Sequence, residues 1–193
     1  MIYTITGPSG SGKSTLVRVL LEHYPERFRR VVTSTTRKPR RGETDGIDYH
    51  FEERPAGGLE EWKASHAASA EFDGNLYGIN TDDYEKLFGE DDSLIVLEPS
   101  GARELKERFP MSVHTVYVRI SSDMAARHMK KRRSRYKKRQ AADVDAGLFD
   151  DDGYDSVIDN DGNLDELVRR FLDILPDVQI VVAAGALPYR KPP

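Results

Sequence analysis

The sequence predicts an α/β fold of three layers, a central parallel sheet with helices on both faces. Three observations predict it. Short β-rich runs at residues 3–6, 30–35, 94–97, 113–120 and 178–182 alternate with helix-like stretches at 14–24, 100–108, 123–139 and 164–175. That alternation supplies the crossovers that parallel strands require. Between the first strand and the first helix stands Gly7-Pro8-Ser9-Gly10-Ser11-Gly12-Lys13-Ser14, a full match to G-x-x-x-x-G-K-[ST]. The strand–loop–helix context makes this a phosphate-binding loop and the fold a P-loop NTPase type. Finally, 193 residues with 38% hydrophobic side chains can bury a core without covalent staples.

The first strand, Ile2-Tyr3-Thr4-Ile5-Thr6, is short and β-branched. Glycines at 7, 10 and 12 let the backbone approach a ligand and turn consecutive N–H groups inward. The helix after them places Leu16, Val19, Leu20 and Tyr24 on one face and aims its positive end at the loop. Ser9, Gly10, Ser11, Gly12, Lys13, Ser14 and Thr15 are therefore the candidate ATP-binding residues, with Lys13 at the β- and γ-phosphates and the Ser14 hydroxyl on magnesium.

Next comes Thr33-Ser34-Thr35-Thr36-Arg37-Lys38-Pro39-Arg40-Arg41-Gly42-Glu43, whose arginines and hydroxyls at a strand end form a receptor for a second phosphate. Two phosphate sites in one chain point to transfer between them. Residues 43–89 break the strand–helix rhythm. They contain Asp48-Tyr49-His50-Phe51 and Asn75-Leu76-Tyr77-Gly78 as short strand-like pieces, with Pro55 and Gly57-Gly58 between, and read as an inserted subdomain. After the later strands, Pro176 closes the last helix and residues 187–193 form a tail.

The net charge of −4 gives no global case for nucleic-acid binding, but charge is unevenly placed. Nine of the thirteen residues 127–139 are Lys or Arg, whereas residues 143–166 hold ten carboxylates and no basic residue. No cysteine is present, so disulfides and thiolate metal sites are excluded. No apolar run is long enough for a bilayer and the chain opens directly on a strand, so the expected location is cytoplasmic, without membrane contact.

Taken together, the loop, the T-S-T-T-R-x-P-R-x-G-E-x-x-G-x-D-Y-x-F block (Thr33 to Phe51) and the G-N-x-Y-G block (Gly74 to Gly78) resemble the guanylate kinase family of nucleoside monophosphate kinases. The resemblance implies one domain, with a core of residues 1–36 and 90–193, a monophosphate-binding insertion at 37–89 and a short basic lid at 127–142. It also implies that Thr33, Arg37, Arg40, Tyr49 and Tyr77, with the adjoining Gly78, hold the acceptor phosphate. Two arginines and two phenols are suitable donors to a dianion.

The base-reading positions depart from the family. Ala68 stands where the resemblance implies a carboxylate for the guanine edge, Ile79 where it implies a hydroxyl, and Val96 where it implies a second acid. Glu98 remains as the strand-end carboxylate and, with Ser14, the candidate metal ligand. Either Glu71 shifts into the vacated role, or the pocket accepts other purine monophosphates, deoxynucleotides or a modified base. A site stripped of hydrogen-bonding groups discriminates less sharply. A sugar phosphate, as in the ribose bisphosphate kinases, is a more distant alternative.

By the same resemblance, Arg127, Arg135 and Arg139 are the lid arginines that stabilise the transferring phosphoryl group, with Arg132 in an alternative register. Asn160 falls in a segment, residues 157–161, that lies against the adenine of ATP. Read on its own, the basic stretch is equally a solvated helix face, and residues 159–161 an Asp/Asn turn. The implied reaction is in-line transfer of the ATP γ-phosphoryl, with magnesium, to a monophosphate oxygen; it needs no covalent intermediate and no general base. The competing readings are a noncatalytic binding module, disfavoured by the complete loop, and a nucleic-acid kinase, disfavoured because Tyr136 is the one aromatic in the basic run. The partners expected are nucleotides, in a monomer or homodimer.

Overall fold

The structure is a computed structural model that describes residues 1–40, 42–131, 143–144, 148 and 150–176. Its strands are β1 (Ile2–Thr6), β2 (Phe28–Arg30), β3 (Ser34–Thr35), β4 (His50–Phe51), β5 (His66–Phe72), β6 (Asn75–Asn80), β7 (Asp92–Val96), β8 (Val113–Arg119) and β9 (Ser156–Asp159). Five of them form a wholly parallel sheet in the order β2-β7-β1-β8-β9. β1 is central and every residue in it is buried, which its run of β-branched and aromatic side chains allows.

Helices cover both faces, as alternation requires. On one face lie α1 (Lys13–His23) and, last among the described helices, α6 (Leu164–Leu172). Leu16, Val17, Val19 and Leu20 of α1 meet Leu167, Val168 and Phe171 of α6 over Tyr3, Ile5, Leu94, Val116 and Val118. Tyr3 and Phe171 stack edge-on at 5.6 Å between centroids. The Asn163 side chain starts α6 by accepting from the N–H groups of Asp165 and Glu166. On the other face lies α4 (Pro99–Arg108), whose Ala102 and Leu105 pack on Ile2, Ile95 and Val113.

The remaining strands form a second sheet in the order β4-β3-β6-β5, flanked by two short helices, α2 (Gly58–Lys63) and α3 (Thr81–Glu85). It joins the first through one apolar cluster in which Ala68 and Ile79 meet Leu97, Ala102 and Leu105. The β5–β6 ladder bulges between Ala67 and Ala70, where Ala68 has a φ of 49°. The Glu104 carboxylate of α4 accepts the Ala68 N–H that the bulge frees, at 3.0 Å.

Several expectations require correction. Residues 30–35 are not one strand: the chain leaves the parallel sheet after Val31, whose N–H donates to Leu94, and re-enters structure in the second sheet at Ser34. β5 is built from alanine and serine rather than β-branched residues, so its alternation of buried and half-buried positions carries no β-propensity. β9 also lay outside the expected strands. The helix of 123–139 is described as α5 (Ser122–Lys131). Its continuation, residues 132–142, and the strand expected at 178–182 lie outside the described residues, as do Arg41 and the tail.

Candidate active site

Four connections leave the carboxyl ends of neighbouring parallel strands at one edge: the loop after β1, Glu98 after β7, α5 after β8 and Asn160 after β9. Parallel sheets build ligand sites at this edge, because strand ends and helix starts converge there. The loop itself is tightly supported. Gly12, with a φ of 101°, precedes the first turn of α1, and a Cβ there would lie 2.7 Å from Nδ2 of Asn160. That amide donates to the Ser11 carbonyl at 2.7 Å, and Asn160 itself is buried beneath the loop. The Lys13 ammonium curls back over the loop to the carbonyls of Gly7 and Pro8. Ser14 is exposed and Thr15 half-buried in the first turn of α1, whereas Ser9 and Ser11 are buried.

Across the same edge lies a cluster of arginines and phenols. Arg37 makes a two-pronged pair with Glu43, Nη1 to Oε2 at 2.9 Å and Nη2 to Oε1 at 3.0 Å. Glu43 also accepts the Arg40 N–H at 2.7 Å. The guanidinium of Arg37 lies over the rings of Tyr49 and Phe51, at 5.2 and 5.7 Å from their centroids. Tyr49 and Tyr77 meet edge-on at 6.3 Å. Burial lowers the affinity of Arg37 for its proton, but Glu43 and the two phenols outweigh it, and the pKa is raised. Burial likewise works to raise Glu43, yet the bonds from Arg37 and Arg40 hold it below the ordinary carboxylate value. Tyr49 is pushed up to about 12, first by burial and then by Tyr77 and Glu98, so its hydroxyl keeps its proton. Tyr77 is raised by burial too, and feels Arg37, Glu98 and Arg40. The cluster thus gathers Arg37, Arg40, Tyr49 and Tyr77, and half-buried Glu98 at the start of α4 acts on both phenols.

The other expected residues distribute as follows. Thr33 is buried between β2 and β3, and its carbonyl accepts from His50. Gly78 is buried; a Cβ there would lie 2.8 Å from both His66 Cβ and Trp62 Nε1. Ala68 is 2% and Ile79 0% exposed, and both belong to the apolar cluster under α4. Val96 packs instead against the core on the α1 side of the sheet. Glu71 does not move into the vacated place. It pairs in register with Leu76, one residue out of phase with Tyr77, so it lies on the opposite face of the ladder. There it is exposed and bonded to Arg54 at 3.0 Å. Arg127 is exposed on α5. Arg132, Arg135 and Arg139 lie outside the described residues.

Four features escaped the sequence reading. Asp143, almost fully buried, bonds both the N–H and the hydroxyl of Ser9 at 3.0 Å, across 134 residues. Nothing distinguishes it from the other carboxylates of the acidic run. His128 bonds the Gly10 carbonyl at 2.9 Å. Trp62 of α2 donates to the Tyr77 carbonyl at 3.1 Å and stacks on His66 at 3.7 Å, holding Tyr77 from behind. Burial raises the Tyr154 phenol, and Thr6, Arg103 and Glu98 act on it, which sets the loop before β9 near the same edge.

Comparison with known proteins gives the family and the fold. The family model described as guanylate kinase matches residues 1–177. Curated relatives include a guanylate kinase of Bacillus cereus, 40% identical over 116 residues covering 58% of this chain and 56% of the relative. Those of Mycoplasma pneumoniae and Desulfitobacterium hafniense are 33% and 35% identical over 63% and 68% of this chain, and 51% and 66% of their own. The chain thus spans about half the length of the first of the curated relatives it matches (51%). The crystal structure of guanylate kinase from Anaplasma phagocytophilum superimposes with a TM-score of 0.62 at 24% identity, covering 90% of this chain and 82% of that one, and shares the fold. With the family model running from the first strand to the end of the described residues, the chain belongs to the guanylate kinase family.

Proposed function

We propose that the protein is an ATP-dependent nucleoside monophosphate kinase whose acceptor base specificity is relaxed or altered relative to GMP. The observation that carries this reading is the placement of Arg37, Arg40, Tyr49 and Tyr77, with Glu98, at the sheet edge that also bears the loop of Lys13. One site holds a donor phosphate chain and the other an acceptor phosphate. A sheet edge with both can do what a lone loop cannot.

The loop fits a polyphosphate. Its glycines leave no Cβ on the cradle, and its lysine folds over it. Ser9, Gly10, Ser11, Gly12, Lys13, Ser14 and Thr15 would bind ATP, with Asn160 bracing the loop from below. Magnesium entering with the nucleotide would neutralise phosphate charge, and the Ser14 hydroxyl and Glu98 carboxylate are oxygen donors of the kind it takes. Arg37 and Arg40, with Thr33 and the protonated hydroxyls of Tyr49 and Tyr77, would seat the acceptor monophosphate. Its phosphate is already anionic, so transfer reduces to alignment and charge stabilisation. Lys13 and Arg127, with Arg135 and Arg139, would bear the charge that spreads over the moving phosphoryl group.

The base specificity rests on Ala68 and Ile79, whose side chains are apolar and buried where the family resemblance implies guanine-reading oxygens. Residues 37–89 would act as the monophosphate-binding part and 127–142 as a short lid of one cytoplasmic domain. Among the described residues no helix is long and apolar enough to cross a membrane. The test is a coupled assay with ATP and magnesium over ribo- and deoxynucleoside monophosphates, modified purines and ribose bisphosphate. Phosphorylation of several purine monophosphates is the expected result. Calorimetric binding of ATP without transfer to any acceptor would instead identify a noncatalytic module.

A further inference from the structure

Two successive peptide groups of the phosphate loop are gripped from outside. The Gly10 carbonyl lies 2.9 Å from Nδ1 of His128 on α5. The next carbonyl, that of Ser11, accepts from Nδ2 of Asn160 at 2.7 Å. A carbonyl can only accept, so Nδ1 of His128 carries the proton of this bond. The peptide unit is planar and trans, so a fixed C=O turns the following N–H the opposite way. The N–H groups of Ser11 and Gly12 therefore point away from His128 and Asn160. The Ser11 N–H reaches the Pro8 carbonyl at 3.1 Å. That carbonyl also receives the Lys13 ammonium at 3.0 Å, which identifies this direction as the lysine side of the loop.

The grip from α5 is close. A Cβ on Gly10, whose φ is 86°, would lie 3.0 Å from the Ala125 carbonyl and 3.1 Å from Cγ of Met129. Ala125 and Met129 are both buried. The Asn160 side chain is braced in turn, because its Oδ1 accepts from the Gly162 N–H at 2.9 Å. Neither partner can shift without moving a packed element.

We propose that His128 is a positioning residue for the donor phosphates. From α5 it fixes the Gly10–Ser11 peptide with the Ser11 N–H turned onto the Pro8 carbonyl, the turn that shapes the loop, as Asn160 fixes the Ser11–Gly12 peptide. The proposal rests on reading the loop as an ATP site and says how its amides are aimed. It also makes the seating of α5, which bears Arg127, a condition for a correctly shaped loop.

The test compares His128→Leu with His128→Asn, whose amide N–H can take the place of Nδ1–H. In the Leu variant the KM for ATP should rise about tenfold, the effect of one hydrogen bond. The KM for the acceptor should stay as in the wild type, and the melting temperature should fall by no more than about 4 °C, the cost of that one bond. The Asn variant should recover ATP affinity. Amide hydrogen exchange at Ser11 and Gly12, measured without nucleotide, should speed up in the Leu variant and not in the Asn variant. Unchanged exchange in His128→Leu would overturn the proposal, as would an Asn variant as impaired as the Leu one. If the wild-type protein binds no ATP, the kinase reading fails by itself, and the exchange comparison still decides the role of His128.

Discussion

The loop from Gly7 to Ser14 and the cluster around Tyr49 and Tyr77 both gather polar groups, yet they part in what stands behind them. Behind the loop, the support is polar and specific: Asn160, His128 and Asp143 each bond one of its backbone groups. Behind the cluster of Tyr49 and Tyr77, Ala68 and Ile79 are apolar and merge with the core under α4. On the function proposed above, the difference makes phosphate chemistry and base selection separable in this fold. Phosphate recognition is built from backbone geometry and fixed charges, whereas base recognition hangs on a few side chains that can be exchanged for core residues.

That contrast can be broken at several points. The largest effect is expected on the donor side: Lys13→Met should lower kcat/KM by at least about a hundredfold, the scale of removing one preorganised charge. Its melting temperature should hold, since the ammonium is half-buried and its bonds to the Gly7 and Pro8 carbonyls lie within the loop. A variant with full activity contradicts the mechanism. Next, Arg37→Ala should cost roughly ten- to a hundredfold, the loss of a charge-assisted pair. The loss should appear in the KM for the acceptor and leave that for ATP unchanged, which steady-state kinetics with each substrate varied would separate.

Acid should loosen the molecule through carboxylates beside both sheets. Glu43 is held below its ordinary value, as are Asp83 of α3, by Lys86 and Asn80 against burial, and Asp155, by Thr115 and Lys106 against burial. Each group binds its proton more weakly folded than unfolded. Its contribution is therefore present above the unfolded value, about pH 4, and is lost as pH falls through the depressed one. Thermal melts should show stability flat from neutral pH to about 5 and falling below about 4. Replacing Glu43 by Gln should flatten part of that fall. The smallest effect is expected at Glu71: its exposed pair with Arg54 lies on the far face of the ladder, so Glu71→Gln should change neither acceptor choice nor, beyond about 0.5 kcal/mol, stability. A shift in the preference between purine acceptors would return Glu71 to the pocket.

The legible part of the molecule was the part written in local chemistry. Strand, glycine loop and helix at residues 2–23 follow from β-branched residues, left-handed glycines and a helical apolar stripe. Arg37 and Arg40 stood out as residue types and Tyr49 and Tyr77 through the family resemblance, and the four do gather. The place of Glu71 stayed open in the sequence because a single bulge at Ala68 and the two-residue period of the strand decide which face it takes, and neither is visible in an alanine-rich run. His128 and Asp143 were missed because their partners lie 118 and 134 residues away in the chain. No local pattern encodes such a contact.

The measurement that bears most directly on the account is the ratio of kcat/KM for GMP to that for other purine monophosphates, with ATP as donor. With Ala68 and Ile79 apolar, the account predicts a ratio below about a hundredfold, the range of a pocket without matched hydrogen bonds. A preference for GMP of about 10⁴ or more would require polar groups reading guanine and would contradict it.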